Sequence, residues 1–385
     1  MHIKSIYLRL LTLSIFYGLF IQYGHSQQYG KMQTYTYSQP YTVDSLHSQM
    51  EGEVKNVILM IGDGMSLMHV YTAWTANRGH LWLDNADAVG LSKTYCLDRL
   101  ITDSGAGGTA LSSGQKTTYH SVGVDSLGRP LESLCTLAHQ LDMSAGIAVT
   151  CRLWDATPAD FCCHNVDREE ELDLIADYVD ADVDYVFGGG AKLFVNRPDK
   201  RNIFEELEAK GFQLPKTWDE LSKITSGKVF AVPYPKDTPL PKERGDLLAR
   251  ASIKGMNLLN QNPNGFFMMI EGSQLDDYGH SNNLDLLMQE TLDFDQTVGA
   301  VMKWAEQHEG TLVIVTADHE TGGLTLLGGD LAEGTVQCRF STNSHSGVMV
   351  PVYAFGTGAQ LFTGLYENTA IYHKIKYLLE QKVKK

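Results

Sequence analysis

Residues 311–320 read TLVIVTADHE, a continuous run of six β-prone residues that ends on an aspartate and a histidine. A short apolar run with no polar face predicts a strand buried on both sides, as in a parallel sheet covered by helices. The same form recurs. Residues 56–61 lead into Gly62-Asp63-Gly64, and residues 145–150, 184–187 and 266–270 are further apolar runs bounded by turn signals. Helical stretches lie between them; residues 284–307 carry Leu287, Leu292, Val298, Val301, Met302 and Trp304 as an imperfect apolar stripe. The chain is therefore expected to be α/β, with a mostly parallel central sheet and helices on both faces. Residues 202–254 are more polar and are expected to form peripheral helices and loops.

In such sheets ligands bind beyond the carboxyl ends of the strands. The polar clusters of this chain fall there: Asp63 after the first run, Asp155 after the second, Glu271 and Asp276 after the fourth, Asp318 and His319 after the fifth. Asp276 with His280, and Asp318 with His319, each offer one hard oxygen and one imidazole nitrogen. That pairing suits a zinc-class divalent ion with positions left open for substrate. Two such pairs at neighbouring strand ends predict a two-metal site, the usual apparatus of phosphoryl transfer. Asp155 and Thr157, in RLWDATPAD, offer a carboxylate and a hydroxyl suited to magnesium. His345 is a further imidazole ahead of another apolar run. Residues 101–113, ITDSGAGGTALSS, place Ser104 at the expected start of a helix, where small residues allow close packing and backbone N–H groups favour an anion. A serine there, next to a metal, can attack phosphorus.

The chain has 385 residues, 43% of them hydrophobic, enough for a sizeable core, with no internal repeat and no composition break that marks a second domain. Its formal net charge of −15 speaks against nonspecific nucleic-acid binding. His2, Lys4 and Arg9 precede an apolar run over residues 10–21, followed by small residues Gly24 and Ser26. This reads as a signal peptide over residues 1–26, giving an exported protein, periplasmic or secreted, with no stable membrane anchor; an uncleaved anchor is the alternative. Residues 27–50, rich in Tyr, Gln, Ser and Thr, read as an extended arm ahead of the catalytic domain at 51–385. The six cysteines show no CxxC spacing, which speaks against a cysteine-based zinc or redox centre.

Six strings, IGDGM, TDSGAGGTAL, RLWDATPADF, EGSQLDDYGH, TADHETGG and NSHSGVMVPVYAFG, occur in the order found in the alkaline phosphatases, which the chain resembles across most of its length after residue 26. The resemblance implies a three-layer sandwich that hydrolyses phosphate monoesters of broad specificity through a phosphoserine, using two zinc ions and one magnesium ion. Ser104 would be the nucleophile. Asp276, His280 and His345 would hold the first zinc; Asp63, Asp318 and His319 the second; Asp63, Asp155, Thr157 and Glu271 the magnesium. Arg168, in CCHNVDRE, falls where the family grips phosphate with a guanidinium. The expected ligands are small phosphorylated substrates and inorganic phosphate, and the expected assembly is a homodimer. Two departures stand out. Asp277 lies where members often carry Lys, His or Trp, and the short chain implies reduced crown loops. A phosphodiesterase or sulfatase on the same scaffold is the runner-up reading.

Overall fold

The computed structural model describes residues 30–383; the expected signal peptide lies outside the described residues. Strands are numbered β1 (Gln33–Thr36), β2 (Asn56–Gly62), β3 (Ala88–Lys93), β4 (Ser144–Arg152), β5 (Tyr185–Gly189), β6 (Val229–Tyr234), β7 (Phe266–Gly272), β8 (Thr311–Thr316), β9 (Glu320–Thr321), β10 (Leu324–Asp330), β11 (Thr335–Phe340), β12 (His345–Ser346), β13 (Val350–Gly356) and β14 (Gly364–Glu367). The helices that matter here are α1 (Leu67–Ala76), α2 (Ser104–Ser113), α3 (Leu134–Gln140), α4 (Leu247–Leu259), α5 (Gln274–His280), α6 (Leu284–Glu306) and α7 (Thr369–Val383).

A nine-stranded sheet forms the middle layer, in the order β14-β3-β13-β8-β2-β7-β4-β5-β6. The six strands from β8 to β6 are mutually parallel. Strand β13 runs antiparallel to both β8 and β3, so β3 points the same way as β8. All seven residues of β2 and all seven of β7 are buried, which is why their sequences show no polar alternation. Period-2 geometry divides them between the two faces. Val57, Leu59 and Ile61 join one core with residues of α3 and α7; Ile58 and Met60 join the other with residues of α1, α4 and α6. The two cores on either side of one sheet make the three layers.

Strand β6 lies inside the polar stretch expected to hold only helices and loops, and it is the outermost strand of the sheet. Pro233 sits in it, and an edge position tolerates a residue with no N–H to donate. Residues 324–340 form the β10–β11 hairpin, and β1 adds to it antiparallel from the N-terminal segment. That segment packs against the body of the fold: the Tyr41 hydroxyl donates to Asp295 Oδ2 at 2.5 Å, the Leu46 N–H to Asn85 Oδ1 at 2.8 Å and the His47 N–H to Glu306 Oε1 at 2.7 Å. All six cysteines are buried and unpaired.

Candidate active site

The parallel strands deliver their carboxyl ends to one rim of the sheet. Asp63 follows β2, Asp155 follows β4, Glu271 is the penultimate residue of β7, Asp276 and His280 lie on α5 directly after it, and Asp318 and His319 follow β8. Because β13 runs the other way, the segment leading into it, with His345 in the bridge β12–β9, starts at that same rim. Ser104 opens α2, which the chain enters from the end of β3. Every expected site residue therefore arrives at one edge of the fold.

Helix α2 can approach because three of its first five residues, Gly105, Gly107 and Gly108, carry no side chain. A Cβ on Gly107 would lie 2.9 Å from the Asp318 carbonyl oxygen, and one on Gly108 only 2.1 Å from Asp160 Oδ2. The backbone N–H groups expected to await an anion are already engaged: Asp103 is the N-cap and accepts from Gly105 and Ala106, each at 3.3 Å. Asp103 was not legible as more than a neighbour of Ser104, yet its Oδ2 also accepts from Arg168 Nη1 at 3.2 Å. Arg168 Nη2 donates to Asp155 Oδ1 at 2.9 Å, and Arg152 Nη2 lies 3.2 Å from Asp155 Oδ2. Two carboxylates thus aim the Arg168 guanidinium, and a second guanidinium, itself tied to Asp237, braces one of them. Arg152 was also missed, since an arginine two residues past a strand run carries no signal of its own.

The three imidazoles share one arrangement. His280 Nδ1 is 2.9 Å from the Asn343 carbonyl and His345 Nδ1 is 2.8 Å from the Thr102 carbonyl. A carbonyl only accepts, so both Nδ1 atoms carry a proton and both Nε2 atoms turn inward. Those two Nε2 atoms lie 3.1 Å apart, and Asp276 Oδ2 is 3.2 Å from that of His280. The Thr321 hydroxyl donates to Asp276 Oδ1, which leaves its oxygen to accept from His319 Nδ1 at 3.2 Å. His319 Nε2 then faces Asp318 Oδ2 at 3.1 Å, Asp63 Oδ1 at 3.5 Å and Ser104 Oγ at 3.2 Å. With its Nδ1 proton given to Thr321, the ring accepts from the serine hydroxyl.

Oxygens and ring nitrogens crowded this closely call for shared protons or a cation in their place. Asp63 Oδ1, Thr157 Oγ1, Glu271 Oε1 and Asp318 Oδ2 are buried without a hydrogen-bond donor, a state that native proteins rarely leave uncompensated. Two sets close enough to share an ion are Asp276 with His280 and His345, and Asp63 with Asp276 and His319. The first matches the expected set. The second brings in Asp276 where Asp318 was expected, although Asp318 borders the same imidazole. Of the expected magnesium set, Asp155 differs from its companions because guanidiniums engage both its oxygens.

Electrostatics follow from this crowding. Burial first, then Asp318, Asp276, Glu271 and Asp155, push the Asp63 carboxyl well above its usual range; burial and Asp155 do the same to Glu271. Burial and Asp276 push Asp318 up to about 6. Asp276 goes the other way: against the upward push of burial, hydrogen bonds from His280 and His345 hold it well below. Burial and the neighbouring cations hold His319 well below its usual value, so its Nε2 lone pair persists. Asp277, the residue after Asp276 on α5, is exposed and is pushed up to about 6 by partial desolvation and by Asp155 and Asp276.

Residues 54–339 match the family model for alkaline phosphatase. Alkaline phosphatase 4 of Bacillus subtilis is 34% identical over 305 residues, covering 73% of this chain and 65% of its own length. The alkaline phosphatase of Escherichia coli is 25% identical over 404 residues, covering 84% and 86% respectively. The chain spans slightly less than two thirds of the length of the Bacillus relatives it matches. Among solved structures, the alkaline phosphatase of the Antarctic bacterium TAB5 superposes with a TM-score of 0.82 at 34% identity, over 86% of this chain and 99% of that one. A His-to-Asp variant of that enzyme has Mg bound in its M3 site.

Proposed function

Because this chain belongs to the alkaline phosphatase family, we propose that it hydrolyses phosphate monoesters to an alcohol and inorganic phosphate through a phosphoserine at Ser104. The observation that carries the reading is the convergence of three inward-facing Nε2 atoms and four buried oxygens without a hydrogen-bond partner at the rim that carries Ser104. The donor set fits two zinc-class ions and one magnesium. Asp276, His280 and His345 would hold one zinc, and Asp63, Asp318 and His319 the other. The harder all-oxygen group of Asp63, Thr157 and Glu271, with Asp155 beside it, would hold the magnesium. When bound, such ions supply positive charge that lowers the proton affinity of nearby hydroxyl and water and stabilises charge on the leaving oxygen.

The chain's own residues do the rest. Arg168, aimed by Asp103 and Asp155, takes two phosphoryl oxygens with its fork and fixes the phosphorus over Ser104. The Ser104 oxygen attacks phosphorus as the bond to the leaving alcohol breaks, and water later attacks the phosphoserine from the vacated side, breaking the Ser104 ester and releasing phosphate. The Nδ1 contacts of His280, His319 and His345 keep all three rings in the tautomer that presents Nε2 inward. Rigid placement at the ends of a buried sheet supplies the alignment on which phosphoryl transfer depends. We further propose that the protein works outside the cytoplasm as a homodimer; fractionation and light scattering check these two points.

The test of the reaction compares turnover of an aryl phosphate monoester and an aryl phosphodiester by zinc- and magnesium-loaded wild type and Ser104→Ala. Monoester turnover lost in the variant is expected. A preference for the diester overturns the assignment.

A further inference from the structure

Hydrolysis as described above uses nothing beyond the phosphoryl group, yet one wall of the site has chemistry of its own. A cleft of about 210 Å³ holds Ser104, Arg168, Asp276, His280 and His345, and it is also lined by Tyr119 and His120. His120 is a non-glycine residue with φ of +71°, in the left-handed region. Such a conformation is unfavourable for a side-chain-bearing residue and persists only where the surroundings enforce it. Here they do: the His120 N–H donates to Asp103 Oδ1 at 3.2 Å, and its carbonyl accepts from the Arg168 N–H at 2.8 Å. Asp103, which aims the phosphate grip, and Arg168, which is that grip, also fasten the His120 backbone.

That backbone presents a flat surface. The His120 ring stacks on Tyr119 with centroids 4.5 Å apart and planes 20° from parallel, and the Arg99 guanidinium carbon lies 3.8 Å from the Tyr119 ring centre. The stack is anchored from behind. The Tyr119 N–H donates to Asp98 Oδ1 at 2.9 Å and the Leu97 N–H to the Thr117 carbonyl at 2.8 Å. The His120 ring is half-exposed, with Nδ1 only 3.8 Å from Asp167 Oδ1. A fixed, partly exposed π-face beside a phosphate grip is how proteins hold flat rings.

We propose that Tyr119 and His120, supported by Arg99, form a leaving-group subsite for a flat aromatic ring, and that His120 is its specificity-determining residue. The preferred substrates are then phosphate monoesters of phenols or nucleosides over those of aliphatic alcohols. This rests on the phosphatase reading given above and narrows its substrate class.

The test uses His120→Asn, since asparagine tolerates the left-handed backbone while removing the ring, and Arg99→Ala. The metal-loaded protein is assayed with phenyl phosphate, AMP and glycerol phosphate. In His120→Asn the ratio of kcat/KM for the aromatic substrates to that for glycerol phosphate should fall about tenfold, with a smaller fall in Arg99→Ala. The larger fall, for phenyl phosphate or for AMP, tells whether the ring is carried directly on the phosphoryl oxygen or through a sugar. A ratio within about twofold of wild type, or an equal fall for all three substrates, overturns the subsite. A second readout needs no turnover. In Ser104→Ala, calorimetry should find AMP bound more tightly than glycerol phosphate, and adding His120→Asn should erase the difference. A difference that survives overturns the proposal. Wild type that turns over none of the three esters removes the catalytic reading instead, and calorimetry still decides the subsite.

Discussion

Chelation should destabilise this protein by an amount that the site allows us to size. Two inward-facing ligand sets, Asp276–His280–His345 and Asp63–Asp276–His319, can each hold an ion. An ion held at about a thousandfold above its Kd adds about 4 kcal/mol to stability, so two add about 8 kcal/mol. The roughly 350 described residues unfold with an entropy of about 0.7 kcal/mol per degree. Removing both ions should then lower Tm by roughly 10 °C.

The pH dependence sharpens the test. The metal-free His280 is raised to about 9, chiefly by its hydrogen bond to Asp276. Its contribution to stability is full below the unfolded value near 6.5 and is lost as pH rises through about 9. Asp63 and Glu271 are raised as well, so the folded, metal-free protein holds protons that the unfolded chain releases, and it loses stability as these groups are forced to ionise. Bound ions replace those protons. Between about pH 6.5 and about pH 9 the metal-free Tm should fall while the loaded Tm changes less, so the gap widens. Scanning calorimetry of dialysed and reloaded protein, with metal content measured alongside, checks this. A gap under about 2 °C in protein that carries two ions, or one that narrows as pH rises, would refute the reasoning.

Four further outcomes follow from the geometry. Asp277→Lys reverses a charge at the mouth and should tighten inhibition by inorganic phosphate about tenfold; an unchanged inhibition constant would show that Asp277 lies beyond the reach of the anion. Arg244 is buried between Glu290, 2.6 Å from Nη2, and Asp293 at 2.7 Å, so Arg244→Ala should lower the free energy of unfolding in urea by about 3–5 kcal/mol. A loss below about 1 kcal/mol would mean that the two carboxyls simply take up protons. Gly108→Ala drives a methyl group into Asp160 and should both destabilise the fold, by about 1–3 kcal/mol, and cut kcat by roughly a hundredfold through displacement of Ser104; a normal kcat would show that α2 has slack. Tyr41→Phe leaves buried Asp295 with the Trp82 and Leu83 N–H donors alone and should cost about 1–2 kcal/mol in thermal unfolding.

The strands that build the rim were readable because they are buried on both faces. The run at 311–316 is β8 without adjustment, and 266–270 extends only to Gly272 to make β7. The run at 145–150 lengthens to 144–152 as β4. Strand β3 was not read, because only one of its faces is buried and its Gly90 is needed where a Cβ would come 2.4 Å from the Phe362 carbonyl. The acidic–histidine pairs were readable because ligands set directly after a strand share its end in space. Arg168 lies in an irregular loop, and its partner Asp103 is 65 residues away; only the family resemblance points to it. His120 left no trace in the pattern, since its signal is a backbone angle.

The spread of the site along the chain has a kinetic consequence. Its groups run from Asp63 to His345, and each reaches the rim only when its own strand has joined the sheet. Closing loops of that length is slow, and the set of Asp63, Asp276 and His319 spans more than half the chain. Ions at that set are expected to be captured after the rate-limiting step of folding. Their binding lengthens the lifetime of the finished molecule by slowing its unfolding and leaves the rate at which it forms nearly untouched. A chain that folds where metal is scarce reaches the same architecture, and it is short-lived until the ions arrive.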